Sequence, residues 1–326
     1  MSKKVNQSQT KKKNKLESQQ IRQLSKQQAQ IFLKTCNAFL ADIIQKEKID
    51  LDSIQHYFQP TSNLEEITLQ SLFLSLISSA ANANMLSNVI EFADRKNREK
   101  EISQEGSRKD RILEAISGHK ELATQSFTDE EFKPYLRTLS EFDVETAFTN
   151  LKEKALVKGD GKVLWYRWLN SVKDAAAFTM RYETGETFVQ HFNAISPDFL
   201  FAGPLIIQRY IIGIGFALAC DALKELGFTQ YVKPDTHIND VFIELNLAKA
   251  SKDNLSKQLN VFDAAIALVQ KINSSLPLEE HITAYELDKI IWLCCSGKFY
   301  KEGITIHDGK RDLKEKLIER LRNNLT

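Results

Sequence analysis

The chain has 326 residues, of which 42% are hydrophobic and 27% are charged, and its formal net charge is +1. These fractions are typical of a soluble globular protein, and the nearly neutral charge provides no overall basic field that would attract nucleic acid. No apolar run reaches the ~18 residues of a membrane span, so we expect no membrane partner. Glycine and proline are scarce, at 12 and 6 residues, which favours a mostly helical chain.

The cysteines and the N-terminus indicate an intracellular protein. The four cysteines, Cys36, Cys220, Cys294 and Cys295, show neither the spacing of a disulfide framework nor that of a zinc site. A reduced compartment follows from this pattern. Because the N-terminus is polar well past residue 20, no secretory signal is expected, and we predict the cytoplasm or nucleoid, or the nucleus in a eukaryote.

Residues 1–29 are predicted to be a basic, disordered tail. This segment is rich in lysine, glutamine and serine, it contains one arginine, Arg22, and Glu17 is its single acid. Such a composition cannot bury enough apolar surface to fold on its own. A basic arm of this kind either holds a phosphate backbone without sequence preference or simply keeps the chain in solution.

Residues 30–104 form the second predicted region, which is helical. Apolar side chains at helical spacing predict an amphipathic helix over 30–48. A second helix is expected over 67–79, with Ser62 and Glu65 as a capping box ahead of it. A run of mixed charges follows, and we place a domain boundary after residue 104.

Residues 105–326 are predicted to be one large helical domain. Helical patterns cover 112–119, 128–139 and 142–154, and no segment alternates for long enough to suggest a sheet. The sequence therefore predicts an all-α fold for the whole chain.

Two tryptophans in this region, Trp165 and Trp168, belong to an aromatic cluster. Aromatic rings can hold an extruded base between their faces. Buried core aromatics along one helix are the alternative, and that alternative is favoured because large aromatics are mainly core residues.

Two glycines then interrupt an apolar run at Gly213-Ile214-Gly215. Glycine tolerates positive φ and close backbone approach, so this segment predicts a tight hairpin between a helix ending near residue 212 and another starting near Phe216. The amide groups from Gly213 to Ala217 would form a site for phosphate. Three polar residues precede the glycines and are candidate DNA contacts or merely a half-exposed helix face: Gln208, Arg209 and Tyr210.

A carboxylate follows the second glycine by twenty residues. Asp235 comes after Lys233 and Pro234 and is expected to cap a helix from about Thr236 to Leu247. Lys233 could balance nearby phosphate charge. His237 together with Asp240 could instead bind a metal, but two ligands are too few for a metal site, and we predict none.

This stretch resembles the helix-hairpin-helix DNA glycosylase superfamily, which includes endonuclease III and the adenine and alkyladenine glycosylases. The family has a Gly-apolar-Gly hairpin, a helix, and a short loop that ends in a catalytic Asp, often followed by Thr-His. Gly213, Gly215, Asp235, Thr236 and His237 occupy those places without a gap, over about 35 residues. The resemblance implies an all-α, two-lobed helical bundle that acts on double-stranded DNA containing a modified base.

The resemblance also implies a role for each residue of the motif. Asp235 would be catalytic, stabilising the sugar cation and activating water. The residues expected to contact DNA are Gly213, Ile214, Gly215, Phe216, Ala217, Lys233, His237 and Arg209. Those expected to line the base pocket are Trp165, Trp168, Gln208 and Tyr210.

Two departures from the family pattern refine the prediction. Ala217 stands where strand-cutting members carry a nucleophilic lysine, which implies a monofunctional enzyme unless Lys224, Lys233 or Lys298 reaches the site. The adjacent cysteines Cys294 and Cys295 do not match the four spaced ligands of an iron-sulfur cluster, so no cofactor is expected. The alternative function is a non-catalytic helical module that retains the hairpin and binds DNA or protein.

Overall fold

The computed structural model describes residues 21–83, 107–157, 161–299, 304–306 and 310–326. This part of the chain is all-α apart from two antiparallel strands of two residues each, which confirms the all-α part of the predicted fold. The elements, in chain order, are α1 (Lys26–Glu47), α2 (Leu51–Gln55), α3 (Leu69–Ala81), α4 (Arg108–Ser117), α5 (Asp129–Glu141), α6 (Val144–Glu153), α7 (Lys162–Thr179), α8 (Gly185–Asn193), α9 (Ala202–Tyr210), α10 (Phe216–Glu225), α11 (Thr236–Glu244), α12 (Asn254–Asn273), α13 (Ala284–Ser296), β1 (Lys298–Phe299), β2 (Ile304–Thr305) and α14 (Lys310–Leu325). None of the helices among the described residues combines the length and the apolar character that crossing a membrane requires.

The chain divides into two compact units. The central unit spans residues 60–228, and the terminal unit combines the described residues of 1–59 with those of 229–326. The predicted regions 30–104 and 105–326 are therefore each shared between the two units. The predicted boundary after residue 104 lies outside the described residues.

The terminal unit is held together by α1, which packs against α12, α13 and α14. The buried stripe of α1 includes Phe32, Cys36 and Phe39, as the apolar spacing predicts. Burial of each such side chain contributes about 1.5–3 kcal/mol. The helix begins at Lys26, where Ser25 and Gln28 form a capping box, so it overlaps the predicted tail of residues 1–29; residues 1–20 lie outside the described residues.

The central unit is built around α7, which packs against α3, α5 and α6. The first helix of this unit, α3, begins two residues later than predicted, because Thr68 and Ser71 form its capping box. The predicted box of Ser62 and Glu65 was wrong: a 3-10 turn over Leu64–Glu66, capped by Asn63, occupies that place. A capping pattern can fit several starting residues, and tertiary packing selects among them.

One carboxylate in the central unit ties three helix starts together. Asp129 is the first residue of α5; its Oδ1 accepts a hydrogen bond from the Leu69 amide at 2.6 Å, and its Oδ2 accepts one from the Gly185 amide at 2.8 Å. Those amides begin α3 and α8. A Cβ at Gly185 would lie 1.9 Å from the Ile67 carbonyl oxygen, so the close approach of these helices requires glycine there.

Candidate functional site

The predicted glycine hairpin is a tight turn between α9 and α10 in the central unit. The Ile214 amide donates to the Ile211 carbonyl oxygen at 3.3 Å, which closes the turn. Gly213 has φ +90°, a conformation that favours glycine at the third position of a turn. Gly215 has φ −86° and ψ 173° and is the N-cap residue of α10. The sequence therefore predicted this turn and the start of α10 at Phe216, whereas α9 ends at Tyr210, two residues before the predicted end.

The turn is fixed to α7 by two side chains that the sequence did not single out. The Ile212 amide donates to Asp174 Oδ2 at 2.9 Å, and Ser171 Oγ donates to the Ile212 carbonyl oxygen at 2.5 Å. A Cβ at Gly213 would lie 2.6 Å from Ser171 Oγ. Gly213 is thus required both for its φ and for the space that α7 leaves. The three-residue spacing of Ser171 and Asp174 puts them on one helix face, but only the tertiary contact identifies their partner.

The start of α10 is open beside this turn. No side chain of the described residues caps it, and nothing lies within 4 Å of a Cβ built on Gly215. The neighbours Ile214 and Phe216 are buried, at 2% and 1% exposure, so they anchor the turn while Gly215 faces solvent. A helix start of this kind presents amide groups and a partial positive charge to an anion.

An exposed aromatic and an arginine lie at the end of α9, one turn before the glycines. Tyr210 is 44% exposed, and the Arg181 guanidinium lies 4.3 Å from the centroid of its ring. Phe178 packs against the same ring at 5.9 Å. Of the other two predicted contact residues, Arg209 is exposed, whereas Gln208 Oε1 is buried and accepts no hydrogen bond from the described residues.

Tyr182 lies behind this aromatic pair. Its ring packs edge-on against Phe178 and Phe188, and burial raises the pKa of Tyr182 to about 12. The positive charge of Arg181 opposes that rise, and Tyr210 adds to it. The phenol therefore stays protonated at neutral pH.

The two predicted base-pocket tryptophans are wholly buried in the central unit. Trp165 and Trp168 each have 0% exposure, and their rings meet edge-to-face at 5.8 Å. Trp168 Nε1 donates to the Ile77 carbonyl oxygen at 3.1 Å, while Trp165 Nε1 has no hydrogen-bond partner among the described residues. This is the arrangement of the core alternative, since neither ring offers a face to solvent. A base-stacking role for them stays a prediction.

Asp235 lies in the terminal unit and begins α11, as the sequence predicts. Its Oδ1 accepts hydrogen bonds from the amides of His237 and Ile238, at 2.8 and 3.3 Å. Its Oδ2 accepts no hydrogen bond from the described residues. The side chain is half-buried, so one oxygen fixes the carboxylate and the other is available.

The loop before α11 is braced by a residue that the sequence did not single out. Asn239 is 5% exposed, and its Nδ2 donates to the Pro234 carbonyl oxygen at 3.0 Å. The Asp235 amide donates to the Lys233 carbonyl oxygen at 2.7 Å. These bonds hold the backbone around Asp235 in one conformation. This role could not be predicted from the sequence, because Asn239 lies one turn into α11 among the apolar residues that form its core-facing stripe.

The buried thiol of Cys295 lies in the electrostatic surroundings of Asp235. Burial raises the pKa of Cys295; Lys314 opposes this, and the negative charges of Asp235 and Asp240 add to it. Burial also raises the pKa of Cys36 and of Cys294. These thiols are neutral core groups and poor nucleophiles.

The alternative metal site at His237 and Asp240 finds no support in the donor set. The Asp240 carboxylate is paired with Lys314 and so is already engaged by a cation. Within the described residues, no group of three His, Cys, Asp or Glu side chains could hold a metal ion.

The lysines that could replace the missing family nucleophile differ in their surroundings. Lys224 lies in the central unit with 3% exposure, and its Nζ is 3.5 Å from Asp221 and 3.9 Å from Glu225. The ammonium of Lys224 is therefore already engaged by two carboxylates of the central unit. Lys233 and Lys298 are half-buried residues of the terminal unit.

Comparisons of the chain with protein-family models, curated proteins and solved structures found no significant match.

Proposed function

We propose that this protein is a monofunctional DNA glycosylase of the helix-hairpin-helix type, which hydrolyses the N-glycosidic bond of a modified base flipped out of duplex DNA. The observation that carries the proposal is the position of Asp235, a helix-capping carboxylate that follows the glycine turn. Its Oδ1 is fixed by two amides, and its Oδ2 is left without a hydrogen bond from the described residues. It follows the glycine turn by twenty residues, the order in which that family places its catalytic carboxylate.

The chemistry requires a single oriented carboxylate. As the base departs, positive charge develops on the sugar, as in other glycosidic cleavages. Asp235 Oδ2 would stabilise that charge and orient or deprotonate the attacking water, whose oxygen adds to C1′ while the base leaves with the bonding electrons. A group placed in this way contributes about 10²–10³-fold to the rate.

The glycine turn would hold the DNA strand by a phosphate. Gly215 is exposed with open space around it, so a phosphate oxygen can approach the amides of the first turn of α10. Contacts of this type set the register on the duplex and carry no base specificity. The rigid attachment of the turn to Ser171 and Asp174 supports this role, because binding then costs little ordering entropy.

Hydrolysis by water is favoured over attack by a lysine. Ala217 has no amine, and Lys224 is buried in ion pairs. An enzyme that uses water leaves an abasic site in an uncut strand. An enzyme that uses lysine would form an imine with the sugar and cut the strand.

The test is a set of duplex oligonucleotides carrying alkylated, deaminated, oxidised and enzymatically modified bases, incubated with the wild-type protein and with Asp235→Asn. Free base and alkali-labile sites are measured. We expect one class of base to be released by the wild type alone, with strand breaks only after alkali. Strand breaks without alkali would overturn the monofunctional assignment, and no release from any duplex would overturn the glycosylase.

The alternative function is a helical module that binds DNA or protein without catalysis. The observation that favours it is the capping role of Asp235, because a carboxylate at this position also stabilises a helix in proteins without activity. Such a module would bind duplex DNA equally well as the wild type and as Asp235→Asn, and neither protein would release a base.

A further inference from the structure

A line of side chains on α7, continued by one residue of the turn after it, lies along the glycine turn. Arg167, Ser171, Asp174 and Phe178 are spaced by four, three and four residues, which places them on one face of α7, and Arg181 lies two residues past the end of that helix. The two inner polar residues hold Ile212, and Phe178 packs against Tyr210. The arginines are at the two ends of this line.

Each arginine lies against a different part of the hairpin. The Arg167 Nε would be 3.6 Å from a Cβ on Gly213, so its side chain lies beside the apex of the turn. Arg181 stacks on the ring of Tyr210 at 4.3 Å, beside the last residue of α9. One arginine therefore lies beside the apex of the hairpin, and the other lies beside the end of its first helix.

Both guanidinium groups are available for a ligand. Arg167 and Arg181 are exposed, and no carboxylate of the described residues forms an ion pair with either. The acid on this face, Asp174, is already engaged by the Ile212 amide. Stacking on Tyr210 restricts the rotamers of Arg181, so less side-chain entropy is lost when this residue binds a ligand.

We infer that Arg167 and Arg181 are phosphate contacts that flank the glycine turn and bind the backbone of duplex DNA. A guanidinium presents a planar fork that matches two phosphate oxygens, and a polyanion with regularly spaced phosphates fits two such forks.

This inference rests on the proposed function for the identity of the DNA, but its test needs no catalysis. Binding of a short duplex with an abasic-site analogue, and of the same duplex without it, is measured by fluorescence anisotropy at several KCl concentrations. We expect Arg167→Ala and Arg181→Ala each to weaken binding about tenfold. Each change should reduce the slope of log affinity against log salt by about one, since one phosphate contact is lost.

Two control variants show whether the effect depends on the positive charges beside the glycine turn or on the positive charge of the protein as a whole. Arg137→Ala removes an exposed arginine of α5 in the same unit and should leave the salt slope at the wild-type value. Arg167→Lys keeps the positive charge and should retain most of the slope. Melting temperatures of all variants establish that each is folded, because both arginines are exposed and their removal should barely affect unfolding.

The outcomes also separate this inference from the glycosylase proposal. Reduced salt slopes in the two alanine variants, with no base released by the wild type, would support phosphate binding by Arg167 and Arg181 and would refute the glycosylase proposal. Wild-type slopes in both alanine variants would overturn the arginine surface, whatever the enzyme does. Displacement of the duplex by polyglutamate at equal charge concentration would also overturn it, since the surface would then recognise acidic protein.

Discussion

Asp129 in the central unit and Asp235 in the terminal unit both lie at the start of a helix, but their carboxylates are engaged to different extents. Asp129 uses both oxygens to accept amides from two other helices. Asp235 uses one oxygen to cap its own helix and leaves the other without a hydrogen bond from the described residues. The carboxylate of Asp129 is therefore structural. A single engaged oxygen is also found in Asp143 and Asp253, which cap α6 and α12, so Asp235 is distinguished from them by its position twenty residues after the glycine turn.

The largest effect on stability is expected from Asp129→Ala. This change removes two charge-assisted hydrogen bonds and leaves the amides that begin α3 and α8 without their acceptor, which should cost about 3 kcal/mol of unfolding free energy. Urea unfolding monitored by circular dichroism measures the loss. The neighbouring exposed acid gives the control, because Glu130→Ala breaks only a surface pair with Lys133 and should cost under about 1 kcal/mol. Equal effects of the two changes would refute the assigned role of Asp129.

The two glycines of the hairpin also differ in their surroundings, because Gly213 is packed against α7 and Gly215 faces open space. Gly213→Ala imposes a Cβ on a residue with φ +90° and places it 2.6 Å from Ser171 Oγ, so we expect a loss of about 2 kcal/mol. Gly215→Ala meets no neighbour and an ordinary φ, and the poorer cap should cost about 0.5 kcal/mol. Urea unfolding of both variants checks the order. A greater loss from Gly215→Ala would show that the attachment to α7 does not fix the turn.

A smaller stability effect is expected at Asp235 itself. Asp235→Ala removes the acceptor for the His237 and Ile238 amides and should cost about 1 kcal/mol, whereas Asp235→Asn retains a capping oxygen and should change stability by a few tenths at most, roughly 0.3 kcal/mol. Thermal unfolding of the two variants tests this difference. A large loss in Asp235→Asn would mean that the charge of Asp235 is needed by the fold, and the distinction from Asp129 would disappear.

The smallest effect concerns Glu131, which shares the first turn of α5 with Asp129. Hydrogen bonds from the Thr128 amide and hydroxyl lower the pKa of Glu131 below its usual value of 4.5. A carboxylate with a lowered pKa contributes stability that is present above pH 4.5 and is lost as the pH falls through the folded value. Glu131→Gln should therefore be less stable than wild type at pH 6 and approach it near pH 3. A gap that stays constant across unfolding curves at these pH values would contradict the assignment.

Local features of the fold were predictable because they depend on neighbouring residues. The glycine spacing and the Pro-Asp pair gave the start of α10 at Phe216 and of α11 at Thr236, and both starts are confirmed. The helix predicted over 128–139 is also present as α5, which begins at Asp129 with Thr128 as its N-cap residue. The ends of helices were predicted less accurately. The helix α11 ends at Glu244, three residues before the predicted end, because the chain turns at its C-cap residue Leu245.

Features that depend on tertiary contacts could not be predicted from periodicity. Ser171 and Asp174 look like ordinary polar residues of a helix until Ile212 is placed beside them. A tryptophan can either stack on a base or fill a core, and the sequence does not distinguish these roles for Trp165 and Trp168. Only their burial in the structure does so. The grouping of both chain ends in one unit likewise arises from the packing of α1 against α12, α13 and α14, which lie more than two hundred residues later.

The most direct test of the catalytic assignment is the single-turnover rate of base release by Asp235→Asn, on a duplex that the wild type processes, with DNA affinity measured on the same samples. Asparagine keeps the cap and removes the negative charge. We predict that release falls by about 10³-fold, while duplex affinity is unchanged or tighter. Release at the wild-type rate by a folded Asp235→Asn protein would contradict the account, because Asp235 would then be a helix cap and nothing more.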